Sequence, residues 1–560
     1  MPRRTVHCAV APLLLAAAVL YGPPAGPPGA DGSIPRTPGH RLVAAYEGAP
    51  AVPAPLPGAA PPRHPHLAPA GRSGMHADAG GSAASPWSGP LGRNPRVTTR
   101  RIAALGGECA TVTFDSGGRL VTVCGTLAGF RLLLLDPRTL ATLAEHRLPQ
   151  RPSTVSALTA LDPSRILKDT SGGAYFHLDH RDRAVLADSR GHLLRLAHSR
   201  DARGRWRFTT EDDWDLTGHV PHDCPRWTDP RPAGTCDPVT SVMPDWAGLL
   251  WWVTRRGRIG TVDPADGAVR SVRLPGEEIQ NSFSVARDGV SIVSDHALYS
   301  FAADPDGTPR IRWREPYDRG SGTKPGSVNQ GSGTTPDLFG EGPGGSGSGG
   351  GGYVAITDNA DDRMNLLVFR RGPDVPAGRR LVCRVPLFRS GASTTDNSAV
   401  TWGRSLVVEN NYGYENPAGV LFGRSVPGGA TRVDVRADGS GCDTVWESPV
   451  RSPSTVPKLS VGNGLLYFYE KPPNRWGIDA WYLTAVDFRT GQRRWRVLTG
   501  TGPGYDNNWA PVTLGPDGTA YVGVLNGILA VRDGDRPAGP SRPPLLRTPA
   551  GRWPGPSPGR

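Results

Sequence analysis

Val262-Asp263-Pro264-Ala265-Asp266-Gly267-Ala268-Val269 joins two short apolar runs through a tight turn. The chain repeats this turn as Val486-Asp487-Phe488-Arg489-Thr490-Gly491-Gln492-Arg493, and more weakly as Leu135-Asp136-Pro137-Arg138-Thr139-Leu140-Ala141-Thr142. Aspartate and glycine at these positions favour hairpin turns. Because similar hairpins recur roughly every 40–65 residues, the sequence predicts a repeated all-β array rather than a mixed α/β enzyme.

The β-runs between residues 109 and 533 group into about eight units, most of which contain four strands joined by short turns. The turns Asn463-Gly464 and Asp517-Gly518 are typical of two-residue hairpins. A single four-stranded sheet leaves its faces uncovered, whereas a closed ring of sheets covers them and protects the edges. The last unit lacks a fourth strand, which residues 96–102 would supply. The sequence therefore predicts a β-propeller of four-stranded antiparallel blades, with eight blades preferred and seven as the alternative.

The two full turns, together with Gly518-Thr519-Ala520-Tyr521-Val522-Gly523, resemble the repeat of quinoprotein-type (PQQ-like) β-propellers. In that repeat an Asp-x-x-Thr-Gly turn precedes a strand with a tryptophan. The resemblance extends over most of residues 109–533 and implies that Trp313, Trp446 and Trp495 pack one blade on the next. It also raises PQQ as a cofactor, but the chain has no two adjacent cysteines of the kind found in true quinoprotein dehydrogenases, which disfavours that chemistry.

Glycine (73) and proline (58) concentrate at the two ends of the 560-residue chain and in one internal tract, residues 340–352. We expect an export signal over residues 1–30, a disordered linker over 31–100, the propeller over 101–533 and a disordered tail over 534–560. Only four of the 63 basic residues are lysine, which indicates a GC-rich coding sequence of actinobacterial type. The arginines are interleaved with acidic residues, so the net charge of +12 does not predict nucleic-acid binding.

Arg3 and Arg4 precede an apolar run over residues 8–21, which is too short for a membrane span and typical of a signal core. An uncleaved N-terminal anchor is the alternative. No later run is long enough to span a bilayer, so we expect a secreted, monomeric protein. The six cysteines beyond this segment would form three disulfides in an oxidising compartment, and zinc ligation is the rival interpretation. These cysteines are Cys109 and Cys124, Cys224 and Cys236, and Cys383 and Cys442.

The loops that lead into the innermost strands are unusually polar and recur at one phase of the repeat. In a propeller such loops converge on the axis, and amide groups that both donate and accept hydrogen bonds suit a sugar or another small polar molecule. The alternative is that these residues only form turns and cap the inner strands. The predicted funnel residues are Gln280, Asn281, Asn329, Gln330, Thr335, Asp396, Asn397, Lys458, Asn507 and Asn508, with Asp396 as the counter-charge of Lys458.

A second candidate site is the acidic turn that contains Asp358, Asn359, Asp361 and Asp362, whose oxygens would suit Ca²⁺ although the glycine and distal glutamate of an EF-hand are missing. We therefore predict a secreted binding or scaffold protein whose partner is a small polar ligand or a protein, and the sequence leaves open whether it is also an enzyme. The alternative is an extracellular enzyme, either a carbohydrate-active lyase or hydrolase that uses Asp396, Glu409 or Asp506, or a PQQ-type oxidoreductase.

Overall fold

The computed structural model describes residues 32–534 except 104–105, 127–128, 161, 163, 168, 341–351 and 377. The predicted export signal, nearly all of the predicted C-terminal tail and most of the Gly/Ser tract lie outside the described residues. Eight antiparallel sheets follow one another along the chain, each with a four-stranded core. The predicted eight-bladed β-propeller is confirmed.

The N-terminal segment contributes a short 3-10 helix at Pro38–Leu42 and three strands, β1 (Tyr46–Gly48), β2 (Ala84–Ser85) and β3 (Arg96–Arg101). The first four blades run from the axis outward in chain order. Blade 1 is β4 (Gly106–Phe114), β5 (Leu120–Thr126), β6 (Gly129–Leu135) and β7 (Thr142–Leu148); blade 2 is β8 (His177–Leu178), β9 (Ala184–Ala187), β10 (His192–Arg200) and β11 (Trp206–Asp215); blade 3 is β12 (Val239–Pro244), β13 (Leu250–Thr254), β14 (Arg258–Val262) and β15 (Val269–Arg273); blade 4 is β16 (Ser284–Ala286), β17 (Gly289–Val293), β18 (Ala297–Ala303) and β19 (Pro309–Pro316).

Blades 5 to 7 repeat the same meander, and blade 8 is completed from the other end of the domain. Blade 5 is β20 (Asp337–Phe339), β21 (Tyr353–Thr357), β22 (Asn365–Arg370) and β23 (Leu381–Pro386); blade 6 is β24 (Val400–Trp402), β25 (Ser405–Glu409), β26 (Ala430–Val435) and β27 (Cys442–Ser448); blade 7 is β28 (Lys458–Ser460), β29 (Leu465–Glu470), β30 (Ala480–Asp487) and β31 (Arg493–Thr501); blade 8 is β32 (Val512–Leu514), β33 (Ala520–Val524) and β34 (Gly527–Arg532). Its fourth strand is β3, which pairs with β34 from Arg96↔Arg532 to Arg101↔Gly527. The predicted strand exchange that closes the ring is therefore present.

The Asp/Gly turn of blade 7 packs against blade 6. At the turn between β30 and β31, the Asp487 carboxylate accepts hydrogen bonds from the N–H groups of Arg489 and Thr490 (2.9 and 3.0 Å), and Gly491 adopts a φ of 70°. A Cβ on Gly491 would lie 2.6 Å from the Trp446 ring of blade 6, so only glycine fits. The Trp446 indole in turn donates to the Phe488 carbonyl (2.9 Å). The turn thus closes the β30–β31 hairpin and also forms a contact between blades 6 and 7.

The three tryptophans singled out by the repeat lie in packed positions. Trp495 is fully buried against Tyr467, with 6.2 Å between ring centroids. Trp313 packs on a cluster formed by side chains of blades 4 and 5, and the Arg380 guanidinium lies 4.5 Å from the centroid of its ring. Together with Trp446 they fill the wedges between blades, as the repeat implied.

All six predicted cysteines form disulfides. Cys109–Cys124 joins the two innermost strands of blade 1, Cys224–Cys236 closes the loop before blade 3, and Cys383–Cys442 links the outer strands of blades 5 and 6. Three disulfides indicate an oxidising compartment. None of the helices in the described part of the chain has the length and apolarity that a bilayer span requires.

The segment over residues 32–100 differs from the predicted disordered linker. Strand β1 adds to the outer edge of blade 7, and β2 adds in parallel to the inner edge of the same blade, which makes a six-stranded sheet. Leu67, Ala83 and Ala84 are buried. The composition predicted disorder because few apolar residues are regularly spaced, but this segment forms backbone hydrogen bonds with the blades and buries its scattered apolar residues against them.

The connection between blades 1 and 2 contains two helices that the sequence analysis did not anticipate, α1 (Pro152–Ala160) and α2 (Ser164–Leu167). Val155 and Ala157 of α1 are buried. Two other 3-10 turns, Pro417–Val420 and Pro503–Tyr505, begin at prolines. The α1–α2 insertion matters for function because Thr154 and Ile166 contribute to the cavity described below.

Candidate functional site: the axial cavity

A hub segment, residues 72–85, runs along the inner strands around the propeller axis. Inner strands of four blades donate backbone N–H groups to successive carbonyls of this segment: Val285 to Ala79 (2.8 Å), Leu338 to Gly80 (2.7 Å), Thr401 to Ser82 (2.8 Å) and Leu459 to Ala83 (3.1 Å). Blade 2 contributes a further bond, from Leu178 to Ser73 (2.8 Å). The hub segment therefore ties five blades together at the centre.

The axial cavity has a volume of about 120 Å³ and lies between the hub segment and the loops that enter the inner strands. Met75 and His76 of the hub segment form one end. An engineered cavity of about 150 Å³ holds benzene, so a space of this size fits one small ring or a short polyol. The polar lining residues are His76, Glu108, Thr126, Arg151, Thr154, Asp169, Thr170, Tyr175, Gln280, Asn281, Asp396, Asn397, Ser398 and Asn508.

Five of the ten predicted funnel residues line this cavity, namely Gln280, Asn281, Asp396, Asn397 and Asn508. They come from the loops before blades 4, 6 and 8, so loops far apart in sequence contribute to one cavity. The other five, Asn329, Gln330, Thr335, Lys458 and Asn507, do not form part of the cavity wall.

Asn281 and Asn397 are largely committed to the protein. The Asn281 amide accepts a hydrogen bond from the Tyr175 hydroxyl (3.0 Å) and donates to the carbonyls of Gly333 and Asp396. Asn397 donates to the Glu409 carboxyl and to the Ser454 carbonyl (3.0 Å). These two amides hold neighbouring loops in register, which is the capping role that the alternative interpretation gave them.

Gln280 and Asn508 each have a side-chain oxygen that accepts no hydrogen bond from the described residues. The side-chain oxygens Gln280 Oε1 and Asn508 Oδ1 are both buried and have no hydrogen-bond partner among the described residues. Most buried polar atoms in folded proteins are paired, so such atoms on a cavity wall suggest a bound water or ligand. Both residues belong to the wall of the axial cavity.

The five predicted residues away from the wall have structural contacts. The Asn329 amide donates to Glu278 (3.4 Å), and Gln330 donates to the Gly320 carbonyl (2.6 Å). The Asn507 amide bridges Thr455 and the Gly523 carbonyl, so its donor and acceptor are both used.

Lys458 and Thr335 contact the hub segment instead of a ligand. The Thr335 hydroxyl lies 3.3 Å from His76 Nε2, and the buried Lys458 ammonium donates to the Met75 carbonyl (2.8 Å). Burial lowers the pKa of Lys458 to about 7, and the carboxylate that opposes this shift is Asp78. The predicted counter-charge, Asp396, is thus replaced by an aspartate from the segment that the sequence analysis had assigned to a linker.

Glu108, on the innermost strand β4, is a wall residue that the sequence analysis missed. Burial raises its pKa to about 8; the Arg151 charge opposes the rise, and the nearby Asp506 carboxyl adds to it. Asp506 accepts a hydrogen bond from the Tyr414 hydroxyl (3.1 Å), and burial raises its pKa to about 7. The predicted β-runs begin at residue 109, one position after Glu108, so the sequence pattern gives no signal for this residue.

Two aromatic rings complete the wall on this side. Trp509 has a φ of 66°, a conformation that is strained for a bulky residue, and its ring meets Tyr414 edge-on at 5.6 Å. The Arg151 guanidinium lies 4.1 Å from the centroid of the Phe130 ring and donates to the Asp169 carbonyl (2.7 Å). The strained Trp509 backbone keeps an aromatic face at the cavity beside Asn508.

The acidic turn of blade 5 uses its side chains to fold the loop. Asp358 accepts hydrogen bonds from the Asn365 backbone and side chain (2.6 and 2.7 Å), and Asp361 accepts from the Ser321 N–H (2.7 Å). Asn359 donates to two carbonyls, and Asp362 accepts from the Ser390 hydroxyl. Within the described ranges no three His, Cys, Asp or Glu side chains form a metal-binding group.

No family model matches the chain. An uncharacterized protein of Archaeoglobus fulgidus is 26% identical over 328 residues, which are 53% of this chain and 61% of the relative, so the match spans less than two thirds of that protein. BamB from Moraxella catarrhalis is 12% identical, covers 81% of this chain and 98% of its own, and has a TM-score of 0.39. Sqt1 from Chaetomium thermophilum, solved with the N-terminus of ribosomal protein L10, is 10% identical, covers 74% and 93%, and has a TM-score of 0.40. None of these similarities transfers a function to this chain.

Proposed function

We propose that this protein is a secreted, monomeric binding protein whose axial cavity holds a small, uncharged polar ligand such as a monosaccharide or a short polyol. The observation that carries the proposal is the pair of unpartnered buried oxygens, Gln280 Oε1 and Asn508 Oδ1, on residues that line the same cavity. A ligand with hydroxyl groups would donate hydrogen bonds to both.

Besides Glu108 and His76, the cavity wall carries residues of both charge signs, Arg151 with Asp169 and Asp396, so no single sign of charge selects a charged ligand. Glu108 is protonated at neutral pH because its pKa is raised to about 8, so it can donate a hydrogen bond without adding a charge. His76 stays neutral because burial lowers its pKa to about 3. Trp509 and Phe130 would cover the apolar faces of a sugar ring. The small volume of about 120 Å³ disfavours an oligosaccharide.

Binding is tested by thermal-shift screening and titration calorimetry with monosaccharides and polyols. We expect a ligand that raises the unfolding temperature, because a molecule that binds only the folded state stabilises it. Gln280→Leu and Asn508→Leu should each weaken binding by roughly ten-fold, the effect of losing about one buried hydrogen bond. Gln492→Leu, at an exposed turn position, is the matched control and should bind normally. Undiminished binding in both cavity variants would contradict the proposal.

The second candidate function is an enzyme that acts on the same class of ligand. Glu108 and Asp396 both line the cavity, and Glu108 has the raised pKa of a proton donor. Glu409 and Asp506, the other carboxyls considered from the sequence, lie outside the wall. Glycoside cleavage that is lost above about pH 8 and abolished in Glu108→Gln would favour the enzyme. Binding without turnover would favour the binding protein.

A further inference from the structure

Three adjoining surface loops carry exposed apolar side chains that the axial cavity does not use. Leu42 ends the first 3-10 helix and is 53% exposed; Phe422 is 76% exposed and Trp476 is 49% exposed. A Cβ on Gly423 would lie 2.6 Å from Gly477 Cα, so the loops of Phe422 and Trp476 touch. A Cβ on Gly39 would likewise collide with the Ile478 side chain, so the 3-10 helix that ends at Leu42 touches the loop of Trp476.

The Phe422 loop is held rigidly in a strained conformation. Phe422 has a φ of 58°, which is rare for a bulky residue. The Asp479 carboxylate accepts hydrogen bonds from the N–H groups of Phe422 (3.2 Å) and Gly423 (2.9 Å), and the buried Lys471 ammonium pairs with it at 3.0 Å. Strain of this kind is typical of functional sites, and here it presents an aromatic ring to solvent.

The same three loops are strongly basic. Arg41, Arg424 and Arg475 are exposed, and none of the three forms an ion pair with a carboxylate within the described ranges. The stretches over residues 36–42, 421–424 and 474–478 contain no aspartate or glutamate. The exposed Glu415 lies in the loop before the second stretch. The Arg475 guanidinium lies 4.6 Å from the centroid of the Trp476 ring.

We propose that this aromatic–arginine patch, formed by Leu42, Phe422 and Trp476 with Arg41, Arg424 and Arg475, docks the protein on an anionic lipid surface. Tryptophan and phenylalanine insert at the headgroup level, and arginines attract anionic headgroups. A protein partner of ordinary composition would not require three arginines without a carboxylate partner in the described ranges around the apolar centre, whereas an anionic membrane complements them. The docking is peripheral and does not depend on a membrane-spanning helix.

The proposal is tested with the full-length chain by co-sedimentation with vesicles. We expect binding to phosphatidylcholine vesicles that contain phosphatidylglycerol, weaker binding as salt is added, and little binding to phosphatidylcholine alone. Phe422→Ala combined with Trp476→Ala should reduce partitioning by at least roughly ten-fold. Trp227→Ala is the matched control, because Trp227 is 55% exposed on a separate loop, and should leave partitioning unchanged.

Charge reversal separates this mechanism from simple apolar adhesion. Arg41→Glu with Arg475→Glu should reduce binding to anionic vesicles by more than roughly twenty-fold, since each arginine near the surface contributes about five-fold. Arg203→Glu with Arg207→Glu, at exposed positions of blade 2, should have little effect. Equal binding of all variants, no binding at all, or a lipid-free dimer that Phe422→Ala dissociates would each overturn the proposal. The dimer would identify a second copy of the chain as the occupant.

Discussion

The Glu409 carboxyl illustrates how one buried acid contributes to the pH dependence of stability. Its Oε1 atom accepts hydrogen bonds from the side-chain amides of Asn397 and Asn411, as a carbonyl oxygen would. Burial raises the pKa of Glu409 from an ordinary 4.5 to about 8. The folded state therefore keeps the proton between these values, where the unfolded chain has lost it. The associated stability is fully present below about pH 4.5 and is lost as the pH rises through about 8.

Glu409→Gln should remove this dependence, because glutamine preserves the carbonyl acceptor and has no proton to lose. We expect the difference in unfolding free energy, variant minus wild type, to increase by about 1.4 kcal/mol for each pH unit between roughly pH 5 and 8. Urea denaturation across this range measures the difference, in which Glu108 and Asp506 cancel because both proteins retain them. A difference that does not change with pH would show that the carboxyl is ionised in the folded state.

The residues of the cavity were partly predictable from the sequence. Gln280, Asn281 and Asn508 follow from their common phase in the repeat, since that phase fixes which loops reach the axis. Lys458 and Asn507 share the phase but are consumed by contacts with other loops, and no local pattern distinguishes a polar side chain that faces the cavity from one that faces a neighbour. The sequence analysis missed Glu108 because it lies on a strand, whereas the predicted cavity residues were taken from the polar loops.

At the scale of the secondary-structure elements, strand β3 closes the ring. The Arg101 N–H points away from β34 and donates to the Gly32 carbonyl (2.9 Å). Because successive N–H groups of a strand point to opposite sides, the Thr98 N–H, three residues earlier, points toward β34. Thr98→Pro should therefore remove a ladder hydrogen bond and destabilise the whole propeller by about 3 kcal/mol or more. Thr98→Ala keeps the N–H and should cost less than about 1 kcal/mol. Urea denaturation of both variants makes the comparison, and equal losses would mean that β3 does not close the ring.

The Cys383–Cys442 disulfide is a second element-scale constraint, because it joins blades 5 and 6 across a separation of 59 residues. Replacing both cysteines by alanine should lower the unfolding free energy by up to about 4 kcal/mol, the loop-closure entropy for a loop of this length. The same change at Cys224 and Cys236 releases a shorter loop, because these cysteines are only 12 residues apart, and should lower the unfolding free energy by less. Denaturant midpoints of the two double variants decide the order, and the reverse order would contradict the entropic account.

The elements themselves were largely predictable, whereas the N-terminal segment and helix α1 were not. Turns such as Asp487–Gly491 are specified by local chemistry, and the missing strand of the last unit followed from the count of strands. The hub segment binds through its backbone carbonyls, which leave no mark on side-chain periodicity. Asp78 and Lys458, nearly four hundred positions apart, meet only once the chain has circled the axis.

At the scale of the whole molecule, two features hold the blades in a ring. The β3–β34 pairing completes blade 8, and the hub segment binds the inner strands at the centre. Asp78 holds the hub turn, since its carboxylate accepts hydrogen bonds from the N–H groups of Gly80 (2.9 Å) and Ser82 (3.3 Å) and from the Ser82 hydroxyl. These bonds fix the carbonyls that receive the inner-strand N–H groups of blades 4 to 7. Loosening one turn should therefore loosen several blades at their inner edges together.

Asp78→Ala should accelerate hydrogen exchange at the amides of Val285, Leu338, Thr401 and Leu459, because each donates to the hub segment. Exchange on the outer strands should change far less, since their ladders do not involve this segment. The expected stability loss is about 2–3 kcal/mol, from the lost acceptor and the unpaired buried lysine. Asp201→Ala, which removes a similar turn aspartate from the exposed end of blade 2, is the matched control. Exchange that rises only at residues 78–82 would show that each blade holds its inner strand without the hub.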